Sequence, residues 1–210
     1  MTRVLIADDH ALVRDGLKRI LEGNDDLTVA GEAANGHDVL QSLELIQFDV
    51  LLLDLSMPGR SGIELIKLVK ERAPKLPVLV LTMHEEEQYA VRALRAGASG
   101  YLTKDSAAAQ LVSAIRKVAS GGLFINAAVA EQLAFNIMPA SSELPHTLLS
   151  DREFEIFHLL VAGKSITDIA RQLCLSVKTV STHKARILQK MRLNSIADLT
   201  RYAIEHHIAV

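Results

Sequence analysis

The residues of this chain that could carry chemistry are aspartates that follow short apolar runs. Asp8 and Asp9 come directly after the run at residues 3–7. Asp54 comes directly after the run at residues 50–53. Runs this short are typical of strands buried on both faces of a parallel sheet. We therefore expect the three carboxylates at the carboxyl ends of strands, which is the edge where open α/β sheets bind ligands.

Two further strand ends bring groups that complement these carboxylates. Thr82 closes the run at 78–82, and Tyr101 and Lys104 lie at the end of the run at 99–102. A lysine and a hydroxyl group can hold phosphoryl oxygens, and the lysine also neutralises charge that develops in phosphoryl transfer. A single aspartate after a strand is more often a turn or helix cap. Four strand ends with complementary chemistry together predict a site.

The carboxylates favour a metal-assisted phosphoryl acceptor. Three crowded carboxylates repel one another, and a divalent cation that prefers oxygen ligands, such as Mg²⁺, would relieve that repulsion. Because carboxylates can form acyl phosphates, Asp54 is the expected nucleophile. Asp8 and Asp9 would position the metal.

Apolar periodicity predicts that strands and helices alternate along the first 120 residues. Such alternation predicts a parallel sheet covered by helices on both faces. The predicted strands are residues 3–7, 27–31, 50–53, 78–82 and 99–102, and the predicted helices are residues 12–21, 39–45, 62–73, 88–96 and 107–119.

Residues 1–120 resemble the receiver domain of two-component response regulators. The resemblance lies in Asp8-Asp9, Leu53-Asp54-Leu55-Ser56-Met57-Pro58-Gly59, Leu81-Thr82 and Gly100-Tyr101-Leu102-Thr103-Lys104. It implies a flavodoxin-like five-stranded sheet in the order 2-1-3-4-5, which is taken over from the family and not worked out from the residues. It also implies that Asp54 accepts a phosphoryl group from a sensor histidine kinase.

The same resemblance implies roles for the surrounding residues. Asp8, Asp9, Asp54 and the backbone carbonyl of Ser56 would hold Mg²⁺. Thr82 and Lys104 would grip the phosphoryl group, and Tyr101 would turn inward as Thr82 moves. Ser56 and His84 occupy positions that influence hydrolysis of the acyl phosphate in receivers. The chain departs at Asp105, where many receivers have a proline after a cis peptide bond, so the isomer of the Lys104–Asp105 bond stays open.

Periodicity weakens after residue 120 and returns near residue 148. Residues 126–135 could form one short helix, and residues 138–145 are polar and interrupted by prolines, which is typical of a linker. We therefore expect a receiver domain at 1–120, a linker at 121–147 and a second domain at 148–210.

The second domain reads as four helices, each with a serine at its start. Ser150 with Glu153 matches a capping box, and Ser165, Ser176 and Ser195 are N-cap candidates. A short helix at 166–173, a tight turn and a longer basic helix at 177–191 form a helix-turn-helix pattern. Helical projection places one set of residues on the inner side of the longer helix, and these are Val177, Val180, Lys184, Ile187, Leu188 and Met191. The outer side carries small polar residues bordered by basic ones, which suits a DNA major groove.

Residues 148–210 resemble the LuxR/NarL-type DNA-binding domain. The resemblance lies in Leu149-Ser150-Asp151-Arg152-Glu153, Ala162-Gly163-Lys164-Ser165, Ile169-Ala170, Leu175-Ser176-Val177-Lys178-Thr179-Val180 and His183. It implies a dimerising fourth helix and an operator of two half-sites. Carried over position by position, Ser181, Thr182 and Ala185 would face bases, while Lys178, Thr179, His183, Lys184 and Arg186 would face the DNA backbone. Cys174 departs from the family in the turn, where a left-handed conformation would cost about 1 kcal/mol.

The charge of the two halves differs, which suggests that they bind different partners. Residues 1–120 hold 14 Lys/Arg and 17 Asp/Glu, whereas residues 148–210 hold 9 and 6. One cysteine excludes an intrachain disulfide and suits a reducing cytoplasm. No apolar run approaches the roughly 18 residues that span a bilayer. We expect a cytoplasmic protein with no membrane partner.

The expected function is a transcriptional regulator switched by phosphorylation. Its partners would be a sensor histidine kinase, double-stranded DNA and a second copy of the chain after phosphorylation, with RNA polymerase as a further candidate. Its chemistry would be limited to self-phosphorylation from a phosphodonor and slow autodephosphorylation. The alternatives are an aspartyl-phosphate hydrolase, a regulator that ignores phosphate, and a small helical bundle that binds protein. Ser56 stands where hydrolases of the haloacid dehalogenase type carry a second aspartate, which disfavours the first alternative.

Overall fold

A computed structural model describes residues 1–57, 62–82, 87–135, 144–206 and 208 of the chain. The chain divides into two compact units, Met1–Leu133 and Ala134–Val210, and each unit is described by itself below. His84 and most of the predicted linker segment at 138–145 lie outside the described residues. Within the described part of the chain, no helix is both long and apolar enough to cross a membrane.

The first unit is built on a five-stranded parallel sheet. Its strands are β1 (Thr2–Ala7), β2 (Leu27–Ala33), β3 (Val50–Asp54), β4 (Val78–Thr82) and β5 (Gly100–Thr103). They pair in the order β2-β1-β3-β4-β5, which confirms the expected fold class. The register places Ala7 beside Leu53 and Asp54 beside Leu81. The carboxyl ends of β1, β3 and β4 are therefore level at one edge of the sheet.

The two central strands are buried along their whole length. Every residue of β3 and β4 is buried, because helices cover both faces of a parallel sheet and an unbroken apolar run suits that environment. One core cluster combines strand residues such as Val50, Leu52 and Leu79 with Leu111 and Ile115 from the fifth helix. This packing holds the strand ends in fixed positions.

Among the described residues, five helices belong to the first unit, and a sixth crosses the end of this unit at Leu133. They are α1 (Ala11–Glu22), α2 (Gly36–Leu45), α3 (Gly62–Arg72), α4 (Glu87–Arg95), α5 (Lys104–Ala119) and α6 (Ala127–Phe135). The helix α6 lies within the short helical segment expected at 126–135.

Two of these helices begin three residues earlier than apolar periodicity predicts. The side chain of Asn35 accepts hydrogen bonds from the backbone N–H groups of His37 and Asp38. Because of this cap, α2 begins at Gly36, three residues before Val39, the first apolar residue of its pattern. The helix α5 begins at Lys104 because Thr103 ends β5 with extended φ and ψ of -78° and 146° and takes the N-cap position. The Lys104–Asp105 peptide bond is trans.

The second unit consists of helices, as expected. A 3₁₀ turn at Pro145–Leu148 precedes α7 (Asp151–Val161), α8 (Ile166–Gln172), α9 (Val177–Met191) and α10 (Ile196–Glu205). Each of the four helices has a serine N-cap whose hydroxyl oxygen accepts a backbone N–H from the first turn. Phe154, Phe157, Ile187 and Leu199 are fully buried between them. Cys174, in the turn between α8 and α9, has a φ of 52°. This is the left-handed conformation that the sequence analysis considered for this residue.

Two glycines provide a test of the packing around the sheet. A Cβ at Gly100 would lie 2.8 Å from Leu79 Cδ1 and 3.0 Å from the backbone oxygen of Phe124. A Cβ at Gly16, an exposed position within α1, would meet nothing within 4 Å. We expect Gly100→Ala to lower the free energy of unfolding by about 1–3 kcal/mol through overpacking. Gly16→Ala should raise it by about 0.5–1 kcal/mol. Urea unfolding of the two variants measures both changes, and equal changes in both would contradict the packing described.

Candidate functional site

One ammonium group lies between two buried carboxylates at the carboxyl edge of the sheet. Asp8 and Asp54 are 1% and 2% exposed, and they follow or end β1 and β3. Lys104 is the first residue of α5, directly after β5. Its Nζ lies 2.6 Å from Asp8 Oδ2 and 2.7 Å from Asp54 Oδ2. The structure therefore brings these three predicted site residues into direct contact.

Backbone groups fix the carboxylates around Lys104. The Ser56 N–H donates to Asp54 Oδ1 at 3.0 Å, and the His10 N–H donates to Asp8 Oδ1 at 2.8 Å. Burial lowers the pKa of Lys104, but the neighbouring Asp54 and Asp8 carboxylates outweigh burial and raise that pKa above its ordinary value of 10.5. Lys104 is therefore a cation throughout the neutral pH range.

The donor set at this edge fits a hard divalent cation. One oxygen-or-nitrogen ligand atom from each of Asp8, Asp9, His10 and Asp54 lies within 4.8 Å of the others. Asp8 Oδ2 is buried against the Lys104 ammonium at 2.6 Å, and Asp9 Oδ1 lies 3.0 Å from His10 Nδ1. Carboxylate oxygens are the ligands that Mg²⁺ prefers. Asp8, Asp9 and Asp54 therefore suit a Mg²⁺ ion, and His10 adds a nitrogen beside them.

Thr82 and Tyr101 lie on the strands that complete this edge. Thr82 ends β4 and is fully buried, and Tyr101 in β5 is 8% exposed. The register pairs Val80 with Tyr101 and Thr82 with Thr103. Tyr101 is therefore turned inward in this structure, and Thr82 is one residue beyond Leu81, the partner of Asp54. Ser56 is exposed, so its side chain faces solvent beside the site.

In the second unit, the outer face of α9 carries the residues predicted to contact DNA. Five of these residues are exposed, namely Lys178, Ser181, Thr182, Ala185 and Arg186. The other three are half-buried, namely Thr179, His183 and Lys184. The inner face buries Val180, Ile187 and Met191. The prediction that Val177 lies inside is wrong, since it is 49% exposed. It occupies the first position of α9, one turn before the first buried residue of the helix.

His183 differs from the other residues of this face. Its Nδ1 is buried and has no hydrogen bond within the described part of the chain. Burial lowers the pKa of His183, as do the charges of Arg152 and Arg186, and Glu153 only partly offsets them. Because its pKa is lowered, His183 is a neutral imidazole near pH 7.

An ion pair that the sequence pattern did not reveal connects α9 to the start of α7. Lys190 Nζ donates to Glu153 Oε2 at 2.6 Å and to the backbone oxygen of Leu148 at 3.3 Å. Glu153 is 4% exposed, and the same Oε2 accepts the Ser150 N–H at 2.8 Å. The predicted capping box is therefore present, and it also holds the last turn of α9.

A second polar contact that was not predicted lies near the beginning and end of this unit. His146, in the 3₁₀ turn, is 1% exposed, and its Nδ1 lies 2.8 Å from the hydroxyl oxygen of Tyr202 in α10. The only sequence signal for such contacts is a polar residue at an inward position of a helix, because the partners are 37 and 56 residues apart.

Two family models match the chain, one in each unit. Residues 4–116 match the response regulator receiver domain, and residues 147–203 match the luxR family of bacterial regulatory proteins. The sheet edge with Asp54 lies in the first match, and α9 lies in the second.

Curated and solved relatives match both units together. The response regulator UvrY of Escherichia coli (strain K12) is 38% identical over 207 residues, which cover 98% of this chain and 95% of UvrY. The response regulator GacA of Pseudomonas viridiflava is 39% identical and covers 98% and 97%. The structure of RcsB from Salmonella enterica serovar Typhimurium, bound to promoter rprA with the phosphomimetic BeF₃⁻, has a TM-score of 0.70 at 29% identity, over 96% of this chain and 98% of that one.

The cation between the carboxylates should make a large contribution to stability. We expect Lys104→Met to lower the free energy of unfolding in metal-free buffer by about 3–5 kcal/mol, because it leaves two buried carboxylates without a counter-charge. Adding Asp8→Asn should recover part of that loss. Since the Lys104 pKa is raised, its stabilisation is present below pH 10.5 and is lost only as the pH rises through the raised value.

Lys18→Met provides the matched control for this lysine. Lys18 pairs at the surface with Glu32 at 2.9 Å and with Asp15 at 2.7 Å, and removing such surface pairs should cost much less than Lys104→Met. Chemical unfolding of the single and double variants checks these values. Equal losses for Lys104→Met and Lys18→Met would contradict the role of burial.

The buried Glu153 predicts a pH dependence for the second unit. Burial alone would raise the pKa of Glu153, but Lys190 and Ser150 outweigh burial and lower that pKa below its ordinary value of 4.5. Its stabilisation is therefore present above pH 4.5 and is lost as the pH falls through the lowered value. Glu153→Gln should reduce stability at pH 7 by about 1–3 kcal/mol, and the difference from wild type should shrink in acid. Thermal unfolding at stepped pH measures this, with Asp168→Asn at the exposed pair with Arg171 as control. A pH-independent difference would refute the assignment.

Proposed function

Because this chain belongs to the two-component response regulators with a LuxR-type DNA-binding domain, we propose that phosphorylation of Asp54 by a sensor histidine kinase controls its affinity for operator DNA. As a response regulator it is a DNA-binding regulator and not a classical enzyme. The observation that carries the proposal is the contact of Lys104 with both Asp8 and Asp54 at the sheet edge. A cation already stands where a phosphoryl group on Asp54 would add negative charge.

The proposed reaction transfers a phosphoryl group between two proteins. The P–N bond of a kinase phosphohistidine breaks, and a P–O bond forms to a carboxylate oxygen of Asp54. Asp8, Asp9, Asp54 and the Ser56 backbone carbonyl would hold Mg²⁺, which neutralises charge on the transferring phosphoryl oxygens. Lys104 supplies a second positive charge at the same place. A small phosphodonor would replace the kinase in self-phosphorylation, and water would release the phosphate slowly.

The proposed switch passes through Thr82 and Tyr101. A phosphoryl group on Asp54 would attract the ammonium of Lys104 and accept a hydrogen bond from the Thr82 hydroxyl. Thr82 lies at the end of β4, and Tyr101 lies on the adjacent strand in register with Val80. Movement of Thr82 would therefore change the packing of the Tyr101 ring. Phosphorylation can only bias states that already exist, so the unphosphorylated chain should bind DNA weakly.

The proposed output is the outer face of α9 in a DNA major groove. Ser181, Thr182 and Ala185 would face base edges, because short side chains allow the helix to approach closely. The flanking residues would contact the DNA backbone, and these are Lys178, Thr179, His183, Lys184 and Arg186. The relative RcsB is bound to a promoter in a solved structure, which supports the same role here.

The remaining parts of the proposal concern organisation and partners. Residues 1–120 would act as the receiver, 121–147 as the linker and 148–210 as the DNA-binding domain. Phosphorylation would favour a homodimer that contacts two half-sites, with α10 at the dimer interface. The protein would act in the cytoplasm, and RNA polymerase is a candidate partner at the promoter.

Asp54→Asn tests the proposal, with Asp49→Asn, directly before the same strand, as the control. The probe duplex is one selected from a random pool by the wild-type chain. With Mg²⁺ and a small phosphodonor, wild type and Asp49→Asn should gain one phosphoryl group by intact mass. Both should bind the duplex about 5–150-fold more tightly than before, the usual range of coupling between two sites. Asp54→Asn should gain neither mass nor affinity.

Two results would contradict the proposal. One is phosphorylation of the wild-type chain without any change in its DNA affinity. The other is tight binding by Asp54→Asn that equals the binding of phosphorylated wild type. Sustained release of phosphate from small phosphomonoesters would instead favour a hydrolase.

A further inference from the structure

The side chain of Thr182 is exposed on α9, yet its hydroxyl hydrogen is already in use. Thr182 Oγ1 donates a hydrogen bond to the backbone oxygen of Lys178, one turn earlier, at 2.9 Å. A hydroxyl group has one hydrogen to donate and two lone pairs that can accept. In this conformation the Thr182 hydroxyl can accept a hydrogen bond from a base, but it cannot donate one.

The same hydrogen bond determines which part of Thr182 faces outward. Because Oγ1 is folded back against the helix, the γ-methyl on the same carbon points away from that carbonyl. Ala185, which is also exposed, lies three residues later, so its methyl group is about 5–6 Å from Thr182 on the helix surface. The middle of the outer face of α9 therefore presents two neighbouring methyl groups.

Ser181 shows that this is a property of Thr182 and not of every hydroxyl on the face. Ser181 is exposed, and its side-chain hydroxyl has no hydrogen-bond partner among the described residues, so this hydroxyl is free to donate or accept. Guanine presents only acceptors, N7 and O6, in the major groove, whereas thymine presents an acceptor and the 5-methyl group. Thr182 offers no donor to guanine and a methyl group to thymine.

We propose that Thr182 reads thymine, with its γ-methyl and the Ala185 methyl in contact with the 5-methyl of a thymine in each operator half-site. The hydroxyl of Thr182 stays bonded to Lys178 and donates to no base. The inference rests on the proposed function, in which α9 lies in the major groove. It specifies which base Thr182 contacts in each half-site.

Removal of one methyl group from the DNA and one from the protein tests this contact. The full-length wild-type chain, treated with Mg²⁺ and a small phosphodonor, first selects duplexes from a random pool. Each recurrent thymine of the half-site is then replaced by deoxyuridine, which lacks only the 5-methyl group. At one position we expect wild-type affinity to fall about fourfold, the equivalent of exposing one methyl group.

Three variants separate the methyl group from the hydroxyl. Thr182→Ser keeps the hydroxyl and loses the methyl, so the deoxyuridine penalty at that position should shrink well below the wild-type value, to the part that the Ala185 methyl supplies. Thr182→Val keeps a γ-methyl and loses the hydroxyl, so the penalty should remain about fourfold. Thr200→Ser is the matched control, because Thr200 in α10 makes the same type of bond to the Ile196 oxygen at 3.0 Å. It should leave the penalty as in wild type.

The outcomes separate this inference from the proposed function. Equal penalties in wild type and Thr182→Ser, or a recurrent guanine whose preference is lost in Thr182→Val, would overturn the thymine contact while DNA binding stands. A selected half-site with no thymine would overturn it as well. If the wild-type chain selects no duplex at all, the proposed function fails and the inference fails with it.

Discussion

The receiver unit depends on one constraint, which is that two buried carboxylates share a single ammonium group. Burying a charge without a partner is strongly unfavourable, and removing one partner from a buried pair is more costly than losing a surface pair. Asp8, Asp54 and Lys104 come from the ends of three different strands. A parallel sheet in which β1 is next to β3 brings these three residues together. The strand order therefore crowds two negative charges at one edge of the sheet. Added charge at Asp54 must then be balanced by Lys104, by a metal, or by movement of neighbouring groups.

The second unit uses a buried ion pair in a different way. Glu153 receives the Ser150 N–H of its capping box and the ammonium of Lys190 from the last turn of α9. No incoming group is expected at this pair, so it holds α9 against α7 in one position. The helix α9 is then held in place, and the Thr182 hydroxyl on its outer face is already oriented by its bond to the Lys178 oxygen. This contrast favours regulation of when the DNA-binding units are available or paired, with α9 itself unchanged.

Much of the architecture could be predicted from the sequence, because burial leaves a direct pattern. The apolar runs at β3 and β4 predict buried strands, and four serines mark the helices of the second unit. Strand order has no such pattern and came with the family resemblance. The starts of α2 and α5 were missed because Asn35 and Thr103, and not apolar periodicity, determine them.

Long-range polar contacts were the least predictable part of both units. Lys190 resembles any solvated lysine of a basic helix, and Glu153 is 37 residues away from it in the chain. The same holds for His146 and Tyr202. By contrast, Asp54, Asp8 and Lys104 could be grouped in advance, since the carboxyl ends of parallel strands always share an edge. The orientation of the Thr182 hydroxyl depends on the side-chain rotamer, which the sequence does not predict.

In the proposed switch, occupation of Asp54 and binding of DNA by α9 are thermodynamically coupled. Coupling between binding sites is reciprocal, so each ligand must change the affinity for the other by the same factor. The direct measurement is a pair of titrations with beryllium fluoride and Mg²⁺ as the phosphoryl mimic, with and without a saturating selected duplex. We predict that the duplex raises the affinity for beryllium fluoride by the same factor by which beryllium fluoride raises the affinity for the duplex, within about 5–150-fold. Binding of both ligands with no effect of either on the other would contradict the account.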